Sequence, residues 1–167
     1  MSESVRRAVF LDRDGVLNVD SGYIYRPEQF CWMPGAVEAI RWLNEHDYLV
    51  IVVTNQSGIG RGLYSEQDFQ ELTAWMAKDL IRVGAHIDYT YHCPHHPTDA
   101  VGEYRTECNC RKPQPGMVLQ AIEEHSIDAD ASILIGDKER DVEAARRAGV
   151  RGVLFSGGDL LELSLLH

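Results

Sequence analysis

Five short runs of apolar, largely β-branched residues recur along this chain, and stretches with helical spacing lie between them. The runs cover residues 8–11, 49–53, 87–91, 132–135 and 150–155. They lack the strict polar–apolar alternation of a half-exposed strand, which predicts strands buried on both faces. Between the first two, Val37, Ile40 and Leu43 form a helical stripe behind Pro34 and Gly35. Ser65 is placed to cap a helix carrying Phe69, Leu72, Met76 and Leu80, ending near Gly84. Pro115 opens another with Met117, Leu119 and Ile122, and a last one over 141–148 is closed by Gly149. Strands alternating with helices predict a doubly wound, Rossmann-like parallel α/β sheet.

At 167 residues the chain has the length of one domain, expected to span 1–167. Its formal net charge of -10 argues against nucleic-acid binding and against docking on an acidic membrane. No segment reads as a targeting or spanning sequence, since the apolar run after Arg6 and Arg7 is only four residues long. A cytoplasmic, monomeric enzyme is the expectation. Two segments break the alternating rhythm. Residues 18–33 have no helical period, and residues 92–113 form a long stretch rich in Cys, His and Pro. Loops this long within a compact domain are usually functional.

The first run leads straight into Asp12-Arg13-Asp14-Gly15. Carboxylates two apart at a strand's carboxyl end can share one crevice, where open α/β sheets bind ligands. One of them can attack phosphorus while the other moves a proton at the leaving oxygen. A lone D-x-D is equally compatible with a plain polar strand end. Other strand ends and a helix start add to the picture. The second run ends in Thr54-Asn55-Gln56-Ser57-Gly58, small polar groups suited to phosphoryl oxygens. The fourth ends in Gly136-Asp137-Lys138-Glu139-Arg140-Asp141, and Arg111-Lys112-Pro113 precedes a helix.

These motifs, in this order, resemble those of the haloacid dehalogenase superfamily of phosphatases across almost the whole chain. Q-S-G-I-G-R-G, C-P-H-H-P and C-R-K-P-x-P-G-M are similar to its heptose bisphosphate phosphatases and, more loosely, its histidinol-phosphatases. The resemblance implies a sheet with the first and fourth strands adjacent, the second and third beyond the first, and no large cap. It implies Asp12 as nucleophile and Asp14 as general acid and base. Mg²⁺ would be held by Asp12, the Asp14 backbone carbonyl and Asp137. Thr54, Asn55 and Lys112 would stabilise the transferring phosphoryl. Asp20, Ser21, Gly22, Tyr23, Gln56, Ser57, Arg111 and Lys138 would contact substrate. The reaction implied is removal of the 7-phosphate from a heptose 1,7-bisphosphate, a lipopolysaccharide precursor. Histidinol phosphate, a broader range of sugar phosphates, and a silent zinc-binding interaction module are the alternatives. Asp141 is expected to cap a helix or hold Lys112 or Lys138.

Cys93, His95, Cys108 and Cys110 supply three thiolates and an imidazole, a donor set suited to tetrahedral Zn²⁺. Four protein ligands leave no open position, so the site reads as a structural staple for the loop. His96 or His92 could take the place of His95 by spacing alone, while the family pattern favours His95. A disulfide requires an oxidising setting. Cys31 is expected to be a buried apolar residue, and Trp32, Met33, Trp75 and Met76 to be packing residues.

Overall fold

The computed structural model describes residues 5–165. The ends of the expected 1–167 unit, residues 1–4 and 166–167, lie outside the described residues. The strands are β1 (Ala8–Leu11), β2 (Leu49–Asn55), β3 (Tyr89–Cys93), β4 (Ile133–Gly136) and β5 (Arg151–Leu154). The helices are α1 (Ala36–Glu45), α2 (Ser57–Gly60), α3 (Glu66–Ile81), α4 (Gly116–His125), α5 (Glu139–Arg147) and α6 (Leu160–Leu165). All strand pairs are parallel, in the order β3-β2-β1-β4-β5. The sheet therefore reverses its winding direction at β1, with β4 on one side and β2 on the other. That switch point opens a crevice at the strands' carboxyl ends.

Two apolar layers sandwich the sheet. Val9, Leu11, Val50 and Val52 meet α1 and α3 residues such as Ile40, Leu43, Leu72 and Met76. Phe10, Ile51, Val53 and Leu134 meet Met117, Val118 and Ala121 of α4 and Ala145 of α5. Ser65 caps α3 as expected: its hydroxyl accepts from Asp68 N at 3.0 Å, and Asp68 accepts from Ser65 N at 2.9 Å. Trp32, Met33 and Trp75 pack against the core and Met76 lies within it. Among the described residues no helix is long and apolar enough to cross a membrane.

Several expectations need correcting. Only the central strands are buried on both faces; β3 and β5 are edges and are partly exposed. β3 begins two residues later than expected. Val50 N is taken at 2.8 Å by the Asp88 side chain, which ends the ladder there. It also runs on through His92 and Cys93, so the long loop starts at Pro94. Leu119 is exposed, because α4 turns Met117, Val118 and Ala121 inward instead. Cys31 is exposed too. Phe30 and Trp32 on either side pack inward, so the extended backbone turns Cys31 to solvent.

Candidate active site

β1 ends where Asp12 N still donates to Ile135 O at 3.1 Å, so the nucleophile candidate is held beside the end of β4. Ligand oxygens of Asp12, Asp137 and Asp141 lie within 4.8 Å of one another. Gly15 makes room for this approach: it has φ +92°, and a Cβ there would sit 2.2 Å from Asp137 Oδ2.

Lys112 lies behind the cluster and is buried. Its ammonium donates to Asp12 Oδ1 at 3.0 Å and to Val53 O at 2.8 Å, and pairs with Asp141 Oδ1 at 2.6 Å. Asn55 fixes this lysine's backbone twice, accepting from Lys112 N at 3.0 Å and donating to Lys112 O at 3.2 Å. Burial pushes the Asp12 carboxyl up to about 7, with Lys112 opposing and Asp141 and Asp14 adding to the rise. The Lys112 pKa is also raised, its two carboxylate partners outweighing the burial that lowers it. Both hydrogen bonds to Asp12, from Arg13 N at 2.9 Å and from Lys112, fall on Oδ1. Oδ2 keeps open lone pairs.

Asp14 is held from several directions. Asn18 Nδ2 donates to Oδ1 at 3.0 Å, Gln56 Nε2 donates to Oδ2 at 3.0 Å, and Arg13 donates to both oxygens. Asp141 does both of the jobs expected of it. Besides Lys112 it accepts from Lys138 N at 3.0 Å, capping α5.

A cavity of about 240 Å³ opens over this end of the sheet, lined by Asp12, Asp14, Asp137, Lys138, Arg140 and Tyr64 among others. Asp20, Gly22, Tyr23, Asn55, Gln56 and Ser57 also line it, whereas Ser21 is exposed and does not. Thr54 is buried below, its hydroxyl accepting from Gln56 Nε2 at 2.9 Å. Arg111 and Lys112 do not line this cavity; they border a second one with Pro97, Thr106 and Gln114. Arg111 instead reaches back to the Cys/His loop, donating to His95 O at 3.4 Å. Sequence reading passed over Arg140, Tyr64 and Arg13. Arg140 and Arg13 stood inside quoted motifs, whereas Tyr64 had no local signal.

Four carboxylates and two cations line the cavity, an unfavourable field for a phosphate dianion. Asp137 Oδ1 is buried without a hydrogen-bond partner. Hard oxygen donors with an unsatisfied buried carboxylate oxygen fit a divalent cation such as Mg²⁺.

The Cys/His cluster is compact. Cys93 Sγ lies 3.5 Å from Cys108 Sγ and 3.6 Å from His95 Nδ1; Cys110 Sγ lies 3.4 Å from each of Cys108 Sγ and His95 Nδ1. Zinc–ligand bonds of about 2.0–2.3 Å place tetrahedral ligand atoms roughly 3.5–3.8 Å apart, so the set fits zinc. The sulfurs are too far apart for a disulfide, which needs about 2.05 Å. Among the three histidines, His95 is the one in the cluster. His92 pairs with Glu66 at 2.7 Å, and His96 Nδ1 accepts from Asp99 N at 2.9 Å.

A β3-β2-β1-β4-β5 parallel sheet with D-x-D at β1 and an acidic end to β4 defines a phosphatase of the haloacid dehalogenase type. The HAD-hydrolase-like family model matches residues 109–163. The chain is 47% identical over 151 residues to the D-glycero-beta-D-manno-heptose-1,7-bisphosphate 7-phosphatase of Pasteurella multocida, covering 90% of this chain and 82% of that one. It is 49% identical over 149 residues to the corresponding alpha-named phosphatase of Burkholderia mallei, covering 89% and 79%. A D,D-heptose 1,7-bisphosphate phosphatase from B. bronchiseptica, solved with magnesium and phosphate, superposes with a TM-score of 0.82 at 33% identity over 96% of this chain and 86% of that one. The chain belongs to the family of D-glycero-D-manno-heptose-1,7-bisphosphate 7-phosphatases.

Proposed function

We propose that this chain removes the 7-phosphate of D-glycero-D-manno-heptose 1,7-bisphosphate through an aspartyl-phosphate on Asp12, supplying lipopolysaccharide precursors. The observation that carries the reading is the gathering of Asp12, Asp14 and Asp137 in one cavity, with Lys112 against the nucleophile. Asp12 attacks phosphorus, the bond from phosphorus to the C7 oxygen breaks, and Asp14 gives that oxygen a proton. Water then attacks the same phosphorus and Asp14 takes its proton, which frees phosphate and restores the Asp12 carboxylate. Asn55 holds Lys112 in place, and Lys112 supplies positive charge as the phosphoryl transfers. The Asp12 and Asp137 carboxylates and the Asp14 carbonyl would hold Mg²⁺. When bound, that ion supplies the charge that offsets repulsion between carboxylates and phosphate.

Asp20, Gly22, Tyr23, Gln56, Ser57 and Lys138 line the space available to the sugar. Arg111 is assigned a part of the substrate remote from the reacting phosphorus. Cys93, His95, Cys108 and Cys110 hold a structural Zn²⁺. Three thiolates on zinc and an unpaired thiol at Cys31 suit a reducing, cytoplasmic setting, and the chain acts as a monomeric single domain. The test is a substrate panel with purified protein. Phosphorus NMR should show loss of only the 7-phosphate from either anomer. Release of the anomeric phosphate, or a kcat/KM at least about tenfold higher (about 1.4 kcal/mol in the transition state) for histidinol phosphate, would overturn the substrate.

A further inference from the structure

Arg13 is one of the largest fully buried side chains among the described residues, only 2% exposed. It does not line the catalytic cavity, so it touches no substrate there. A buried guanidinium is costly unless each of its donors meets an acceptor, and here the acceptors are unusual. Nε and Nη2 donate to Asp14 Oδ1 at 3.2 and 3.1 Å, and Nη2 also reaches Oδ2 at 3.2 Å. The same Nη2 donates to Ile24 O at 2.8 Å and approaches Gln56 Oε1 at 3.4 Å. Gln56 closes the circuit by donating to Asp14 Oδ2, while Tyr64 donates its hydroxyl to Gln56 Oε1. The Phe69 ring lies 5.7 Å below the guanidinium carbon.

We propose that Arg13 is a positioning residue that sets the carboxylate plane of Asp14 and ties it to the backbone carrying Asp20–Tyr23. The fork geometry is what the job requires. Arg13 bonds both Asp14 oxygens and the Ile24 carbonyl together, and the compact ammonium of a lysine does not reproduce that fork. Asn18 and Gln56 complete the cradle, so the carboxylate is held on both oxygens from three side chains. Loss of the fork frees Asp14 to rotate away from the leaving oxygen, and a misplaced acid forfeits most of its contribution.

The inference rests on Asp14 being the general acid, and leaving-group dependence tests it. A sugar alkoxide needs a proton to leave; p-nitrophenolate is a stable anion and does not. Because kcat/KM reports the steps up to phosphorus–oxygen cleavage, it isolates the acid-dependent half of the reaction. Arg13→Met should lower kcat/KM for heptose 1,7-bisphosphate about a hundredfold more than for p-nitrophenyl phosphate, within the range of general acid catalysis. Arg13→Lys should show the same asymmetry at about tenfold, because charge persists but the fork does not. Asp14→Asn sets the reference asymmetry. If Arg13→Met fails to fold, Arg13→Lys decides. Parallel losses on both substrates, or no loss on either, would overturn the proposal and assign Arg13 to stability alone. Wild type without activity on either substrate would instead overturn the phosphatase reading.

Discussion

At the scale of single residues, Asp12 as the proposed nucleophile faces opposing electrostatic demands. It must be ionised to attack, yet burial holds its carboxyl up to about 7. Its folded value lies above the unfolded one, so the folded chain binds that proton more tightly. Between about pH 4 and 7 the metal-free protein should therefore lose stability as pH rises. Melting curves of wild type should fall across that window more steeply than those of Asp12→Asn, and added Mg²⁺ should remove the difference. Turnover by Asp12→Asn should be abolished, since an amide is a poor nucleophile. Asp141 is equally specific in its demand. Asp141→Ala removes one of two carboxylates from buried Lys112 and uncaps α5, so urea unfolding should show a loss of about 3–5 kcal/mol. Lys112→Ala should cut kcat severely, since its ammonium lies against Asp12, and Arg111→Ala should mainly raise KM, since its proposed contact is with a part of the substrate remote from the reacting phosphorus; steady-state kinetics check both.

At the scale of elements, the site depends on loops whose shape is set by small residues and by the Cys/His cluster. Arg111 and Lys112 follow the last ligand directly, and Arg111 N donates to Cys108 Sγ at 3.4 Å. Cys108→Ser or Cys110→Ser should lower the melting temperature and the rate together, and metal analysis should fall from one zinc per chain towards none. Gly15→Ala should weaken Mg²⁺ activation and lower the melting temperature together, because its Cβ would press on Asp137 and φ +92° strains any L residue. The strands and main helices were legible from local periodicity. The four-residue α2 and the C-terminal α6 were not, because so few residues give no readable helical stripe. β3 was misplaced by two residues because the Asp88 side chain, not a backbone group, ends its ladder.

At the scale of the whole molecule, the net charge of -10 and an anionic substrate are reconciled only locally. The cavity itself is rich in carboxylates, so cation supply governs function. EDTA should abolish turnover and Mg²⁺ should restore it, while the zinc content stays unchanged through the same dialysis.

Residue type and local periodicity alone carry the order of the five strands and the main helices, the D-x-D at the first strand's end, the acidic end of the fourth, and a cysteine–histidine donor set. Those are local facts, carried by periodicity and by residue type within a few positions. Only the tertiary structure decided which histidine joins the cysteines, that Asp141 shares Lys112 with Asp12, that Asn55 clamps Lys112, and that Arg13 is buried against Asp14. Each depends on groups tens of residues apart meeting within a few ångströms. Lys112 and Asp12, separated by 100 positions, are joined because parallel strands with crossover helices bring distant strand ends to one crevice.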